Sequence, residues 1–141
     1  MIVTVNVAYP GDRSVDREGE MFVIRTDRMV LWCPQACGPN PLSLVLSSLG
    51  MCSGEELYVF CDRRGIPTDD VRLAVSAELS EESHRVEEIR VQLRLPSAFP
   101  EEYIEAVQRA VAHCSVKKHL EAPLPVQVSI DETQTEGATS S

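Results

Sequence analysis

The chain has 141 residues, 43% of them hydrophobic and 25% charged, the composition of one ordinary globular domain rather than of a disordered segment. Its 22 acidic residues outnumber the 13 basic ones, giving a formal net charge of −9. That balance argues against a nucleic-acid surface and against binding to anionic membranes, because both are held largely by Lys and Arg. No stretch reaches 18 consecutive apolar residues, and MIVTVNVAYP lacks a basic n-region and a small-residue cleavage site. The expectation is therefore a cytoplasmic protein with no membrane span.

The run IVTVNVA at residues 2–8 is β-rich and ends in the turn residues Tyr9-Pro10-Gly11-Asp12. Residues 21–26 and 29–32 are two further β-like runs separated by Asp27-Arg28, so the first third of the chain reads as a three-stranded meander. CPQACGPNP at residues 33–41 is a loop by its prolines and glycine. Residues 42–64 form the most apolar segment, and Gly65 directly after Arg63-Arg64 is a helix stop signal. Val71, Leu73, Val75, Ala77 and Leu79 alternate with polar residues. Ile89, Val91, Leu93 and Leu95 repeat the pattern after a polar turn at residues 80–84, which predicts a half-buried antiparallel hairpin. Ile104, Val107, Ala110 and Val111 mark one face of a helix over residues 101–112. A short helix at 115–120 and a last strand at 126–130 complete the domain (residues 1–130), and DETQTEGATSS at 131–141 is read as a flexible acidic and polar tail.

These elements make an α+β chain in which an antiparallel sheet packs on one long apolar helix. That helix carries Leu42, Leu44, Val45, Leu46, Leu49, Met51, Leu57, Val59 and Phe60 on nearly every side. A helix apolar all round has to be buried all round, and one small sheet covers a single side, so a homodimer is expected. Coverage by the chain's own second helix is the competing arrangement.

Five cysteines, at 33, 37, 52, 61 and 114, are an odd number for a disulfide framework and point instead to thiol chemistry, metal binding or burial. Cys52 lies between Gly50 and Gly54, which share a helix face and permit close backbone approach. The G-x-C-x-G string also mimics a nucleophile elbow, although the sequence supplies hairpins rather than the βα units that motif requires. Cys61 falls half a turn out of phase with Cys52 and reads as a core or interface residue. Cys114 precedes Lys117 and Lys118, whose charge favours a thiolate; a buried thiol at a helix end is the other reading. Cys33 and Cys37 have an admissible metal-site spacing, but a zinc site completed by Cys61 and His113 lacks a second closely spaced pair, and a loop disulfide has no further support. No cofactor or metal is expected.

In order, Gly38-Pro39-Asn40-Pro41-Leu42, Leu49-Gly50-Met51-Cys52, Arg63-Arg64-Gly65-Ile66-Pro67 and His113-Cys114-Ser115-Val116 resemble the signatures of the OsmC/Ohr family over residues 20–130. The resemblance implies an intertwined homodimer with two long helices packed centrally and wrapped by sheets. It also implies a peroxidase that serves oxidative stress defence. Cys52 attacks an organic hydroperoxide and becomes a sulfenic acid, Cys114 condenses with it to a disulfide, and an external dithiol reduces the product.

The departures from that pattern matter as much. Peroxidase members carry a Glu just after the Pro that opens the long helix, acting with an Arg; here Pro41 is followed by Leu42 and Ser43. Arg25 and Arg28 by strand order, or Arg13 and Arg17 from the preceding loop, are the candidate cations. Glu55 and Glu56 lie one turn after Cys52, where negative charge disfavours thiolate unless an Arg offsets it. These departures resemble a less characterised OsmC-like branch. They leave as alternatives a non-catalytic dimer holding a small apolar ligand at the subunit interface, or another thiol-based activity.

Overall fold

The structure, a computed structural model, describes residues 2–9, 23–33, 41–122 and 124–132. Its elements are β1 (Ile2–Ala8), β2 (Val23–Arg25), β3 (Val30–Trp32), α1 (Pro41–Arg63), β4 (Arg72–Leu79), β5 (Val86–Arg94), α2 (Ile104–Ala112) and α3 (Ser115–Glu121). A single turn of 3₁₀ helix, Glu101–Tyr103, leads into α2.

The five strands form one antiparallel sheet in the order β2-β3-β1-β4-β5. The first three strands are therefore not a meander: β2 and β3 pair as a hairpin, and β1 lies between β3 and β4. Burial accounts for the rearrangement. Val5 and Val7 of β1 are fully buried, and a central position gives their strand neighbours on both edges. The β4–β5 hairpin follows the predicted register, with Leu73, Val75 and Ala77 opposite Leu93, Val91 and Ile89. Its β4 face is buried, whereas Ile89, Val91 and Leu93 on the edge strand are half-buried.

α1 lies across the buried face of the sheet, and α2 and α3 pack beside it. Gly50 and Gly54 let the helix approach closely. A Cβ at Gly50 would stand 3.2 Å from Leu31 and 3.3 Å from Val7, and one at Gly54 would stand 3.0 Å from Met29 and 3.2 Å from the Tyr9 hydroxyl. The helix ends in a Schellman arrangement, as its sequence predicts. Gly65 takes a φ of 66°, the Ile66 N–H donates to the Cys61 carbonyl, and the Gly65 N–H donates to the Asp62 carbonyl.

Two expectations change. Ile104 is 41% exposed, because α2 begins only there and the preceding Tyr103 turns inward to pack edge-on against Phe60. Residues 124–130 form no helix and pair with no strand among the described residues. On α1, sheet and helices of the same chain cover Leu46, Leu49, Leu57, Phe60 and Cys61, while Leu44, Val45 and Met51 remain exposed, the side left for the expected partner. By length and composition α1 would suffice to cross a membrane, but its buried residues are packed as those of a core helix.

Candidate functional site

Cys52 sits near the middle of α1, in continuous helix on both sides, so the strand–turn–helix context of a nucleophile elbow is absent. Its side chain is partly exposed and lines a cleft of about 620 Å³ with Ile24, Met29, Leu44, Met51 and Glu55. Four apolar side chains share this cleft with the carboxylates of Asp27 and Glu55 and the hydroxyls of Thr26, Ser47 and Ser48, so the lining is mixed and its negative charge disfavours an anionic occupant.

The chain reverses after α2 and starts α3 against this part of α1. Cys114 caps α3, Ser115 is its first residue, and the Ser115 hydroxyl stands 3.6 Å from the Cys52 sulfur. The opening turn of a helix has N–H groups without intrahelical partners. Here the Ser115 hydroxyl is hydrogen-bonded to Cys52, and the Ser115 and Val116 amides and the Cys114 thiol lie near enough to act on its acidity.

The two thiols are driven apart in acidity. Burial pushes Cys52 up, but the Cys114 thiol, the Val116 N–H and the Ser115 hydroxyl and N–H outweigh burial, holding Cys52 below the ordinary thiol value. Cys114 is fully buried. Burial raises its pKa, the hydrogen bond with Cys52 and its charge act in the same sense, and the Lys117 N–H and Ser53 hydroxyl offset them only in part. Of the two local readings of Cys114, the buried thiol holds and the cation-activated thiolate does not. Cys52 is therefore the more acidic thiol of the pair and Cys114 the less acidic one.

Arg28, in the turn between β2 and β3, forms an ion pair with Glu55 and lies 4.8 Å from the Tyr58 ring centroid. It thus supplies the positive charge that offsets Glu55, one turn of α1 beyond Cys52. Arg25 ends β2 at an exposed position, and Arg13 and Arg17 lie outside the described residues. The first turn of α1 contains no acidic residue, and Ser43 there is buried, its carbonyl accepting from the Ser47 hydroxyl at 2.7 Å. Cys33 and Cys61 are fully buried, and Cys37 lies outside the described residues. Burial raises the pKa of Cys61, and Arg64 opposes that rise. Neither of these buried cysteines reaches the cleft.

Sequence reasoning brought Cys52 and Cys114 forward and missed Ser115 and Ser53. The available signal was His113-Cys114-Ser115-Val116 itself: a Ser that opens a helix beside a Cys has its hydroxyl and amide free for the same acceptor.

The OsmC-like protein family model matches residues 34–129, more than half of the chain. The chain belongs to the OsmC-like family. Among solved structures, it is similar to an OsmC-like hydroperoxide resistance protein from Jannaschia sp. CCS1, with a TM-score of 0.55 and 17% identity over 95% of this chain and 96% of that one. At that identity the likeness concerns the fold. No curated protein matches this sequence. The expected α+β architecture, an antiparallel sheet on a long apolar helix, is thus the OsmC-like fold.

Proposed function

We propose that this OsmC-like protein is a thiol-dependent peroxidase for organic hydroperoxides, with Cys52 the peroxidatic and Cys114 the resolving cysteine. The reading rests on one observation: the start of α3 sets Cys114 and the Ser115 hydroxyl against Cys52, with the acidity of the half-exposed thiol raised and that of the buried one lowered. The Cys52 thiolate attacks the outer oxygen of ROOH, the O–O bond breaks, and the alkoxide takes a proton to leave as ROH. Cys52 is then a sulfenic acid. The Cys114 sulfur attacks the Cys52 sulfur, a disulfide forms, and the hydroxyl departs with the Cys114 proton as water. An external dithiol returns both cysteines to thiols and becomes a disulfide itself. The amides of Ser115 and Val116 take the place of the carboxylate and Arg that act in peroxidase members of the family. The hydroperoxide-resistance name of the similar Jannaschia protein agrees with this chemistry.

The assembly in this reading is a homodimer. The exposed Leu44, Val45 and Met51 on α1 support it, since they leave apolar surface open in a lone chain and Leu44 and Met51 line the Cys52 cleft. A second reading, a non-catalytic dimer holding a small apolar ligand, is favoured by the absence of any acidic residue in the first turn of α1.

One experiment separates the two. Reduced protein is mixed with cumene hydroperoxide in a stopped-flow instrument and then mapped without reduction. Peroxidase chemistry yields one alcohol per protein, a single disulfide between Cys52 and Cys114, and no turnover in Cys52→Ser. Slow oxidation spread over all five cysteines would remove the peroxidase and leave the ligand-binding dimer.

A further inference from the structure

The face of the sheet turned away from α1 carries chemistry of its own. Alternation sends Val7, Leu73 and Val75 toward the helix, so Asn6, Arg72 and Ala74 project from the opposite side. The register then assembles two rows across the strands on that side. Trp32, Asn6, Ala74 and Gln92 stand opposite one another from β3 to β5, and in the next row Arg72 of β4 faces Arg94 of β5. All six line a depression of about 340 Å³.

Two guanidiniums at directly paired positions repel each other, and such a pair opposes sheet formation. The chain has 22 acidic residues against 13 basic ones, so an acidic neighbour is easily supplied. Even so, neither Arg72 nor Arg94 forms an ion pair among the described residues. Further along the same face Arg90 does have such a neighbour and pairs with Glu88. Arg72 is tied to main chain instead: one terminal nitrogen donates to the Asp69 carbonyl at 2.7 Å and to the Val71 carbonyl at 2.9 Å. Asp69 thus meets Arg72 through its backbone and not through its carboxylate. These bonds fix the guanidinium in place and leave its other N–H groups open to a further acceptor. Ala74, the smallest side chain of its row, forms a low floor between the amides of Asn6 and Gln92.

We propose that this depression binds a small molecule with a flat ring and an oxyanion head, a carboxylate or a phosphate. Arg72 and Arg94 hold the head, and the ring lies on Ala74 against the Trp32 side chain. An anion between the two guanidiniums turns their repulsion into attraction, and the planar donor fork of Arg matches the oxygens of both heads. Ligand pockets span about 300–1,000 Å³, so this one takes a small occupant. The site lies across the sheet from the Cys52 cleft and needs neither the thiols nor a second copy, so its test is blind to peroxidase activity.

Trp32 is the only tryptophan of the chain, and tryptophan fluorescence therefore reports on this place alone. The reduced full-length chain is titrated at constant ionic strength with benzoate, with phenyl phosphate and with neutral benzamide. At least one anion is expected to give a saturable change, with a dissociation constant on the order of 0.1–1 mM, and benzamide none. The tighter of the two anions identifies the head. An equal response to benzamide, or no saturable response to either anion, overturns the proposal. Arg94→Gln removes one guanidinium from an exposed position and should weaken anion binding on the order of 10-fold. The same variant relieves the repulsion with Arg72, so its urea midpoint is expected at or above the wild-type value. Unchanged affinity overturns the proposal. A lowered midpoint overturns it too, since Arg94 would then support the sheet rather than bind a ligand.

Discussion

Replacing Ser115 by Ala removes one of the groups that lower the pKa of Cys52 while leaving the backbone amides in place. A hydrogen bond to a charged group contributes about 1.5–3 kcal/mol to the charged form. At 3.6 Å, to a sulfur partly open to solvent, the share of this hydroxyl falls to about 0.5–1 kcal/mol. With tenfold corresponding to about 1.4 kcal/mol, the thiolate-to-thiol ratio drops by about two- to fivefold. A more basic thiolate is also the stronger nucleophile, with a Brønsted slope of about 0.4–0.5, so nearly half of the logarithmic loss is returned. Alkylation of Cys52 by iodoacetamide should therefore slow by about 1.5- to 2.5-fold near pH 6, and quicken by about 1.4- to 2-fold near pH 10. The rate profile moves to higher pH, and the wild-type and variant curves cross. Labelling is read by mass spectrometry of the Cys52 peptide. Cys33, Cys61 and Cys114 are fully buried and stay unlabelled in native protein, and Cys37 is read on its own peptide. Ser115→Thr keeps the hydroxyl and should follow wild type. If the alanine variant scales the rate equally at every pH, its effect is on access to the sulfur rather than on acidity. If the profile does not move, the hydroxyl contributes nothing to activation. Either result refutes the argument.

Two further outcomes follow from the helix–sheet contact. Gly50→Ala gains up to about 1 kcal/mol of helix propensity, but its methyl meets Leu31 and Val7, both fully buried, at a cost of about 1–3 kcal/mol. The net loss should lower the urea midpoint, and a variant as stable as wild type would mean that the sheet yields. The buried Tyr9 hydroxyl donates to the Gly54 carbonyl at 2.7 Å, so Tyr9→Phe should cost about 1 kcal/mol in the same assay. Burial, with smaller contributions from Cys61 and Glu55, raises the Tyr9 pKa far above the ordinary range. The neutral phenol is thus favoured in the fold. Its contribution is complete below the unfolded value of about 10 and is lost as pH rises above it. Stability should fall above about pH 10 in wild type and less steeply in Tyr9→Phe; equal slopes would contradict the burial argument.

Period and punctuation were enough to locate most of the elements. Alternation from Val71 to Leu79 and again from Ile89 to Leu95 is a local property, and the hairpin it predicts has the observed register. Gly65 after Arg63-Arg64 predicts the end of α1 for the same reason, since only the left-handed backbone there satisfies the last carbonyls. Which strands become neighbours is not local. β1 joins β3 and β4 rather than β2 because two fully buried valines need cover on both sides, and no spacing within β1 records that. Ile104 and Tyr103 exchange roles because the helix axis is set by packing against Phe60, not by the period of α2 alone.

The sequence by itself determined the family, the long helix, the hairpin and two cysteines worth testing, because signatures and periodicity lie along the chain. Tertiary structure alone decided the chemistry available to those cysteines. Cys52 and Ser115 are 63 residues apart, and only the packing of α3 on α1 brings the Ser115 hydroxyl to one sulfur while burying the other thiol. The same packing turned Arg28 onto Glu55 and left residues 124–130 in solvent. The physical reason is common to all three: a pKa, an ion pair or a strand partner depends on distance in space, and distance in space is set by how the elements pack.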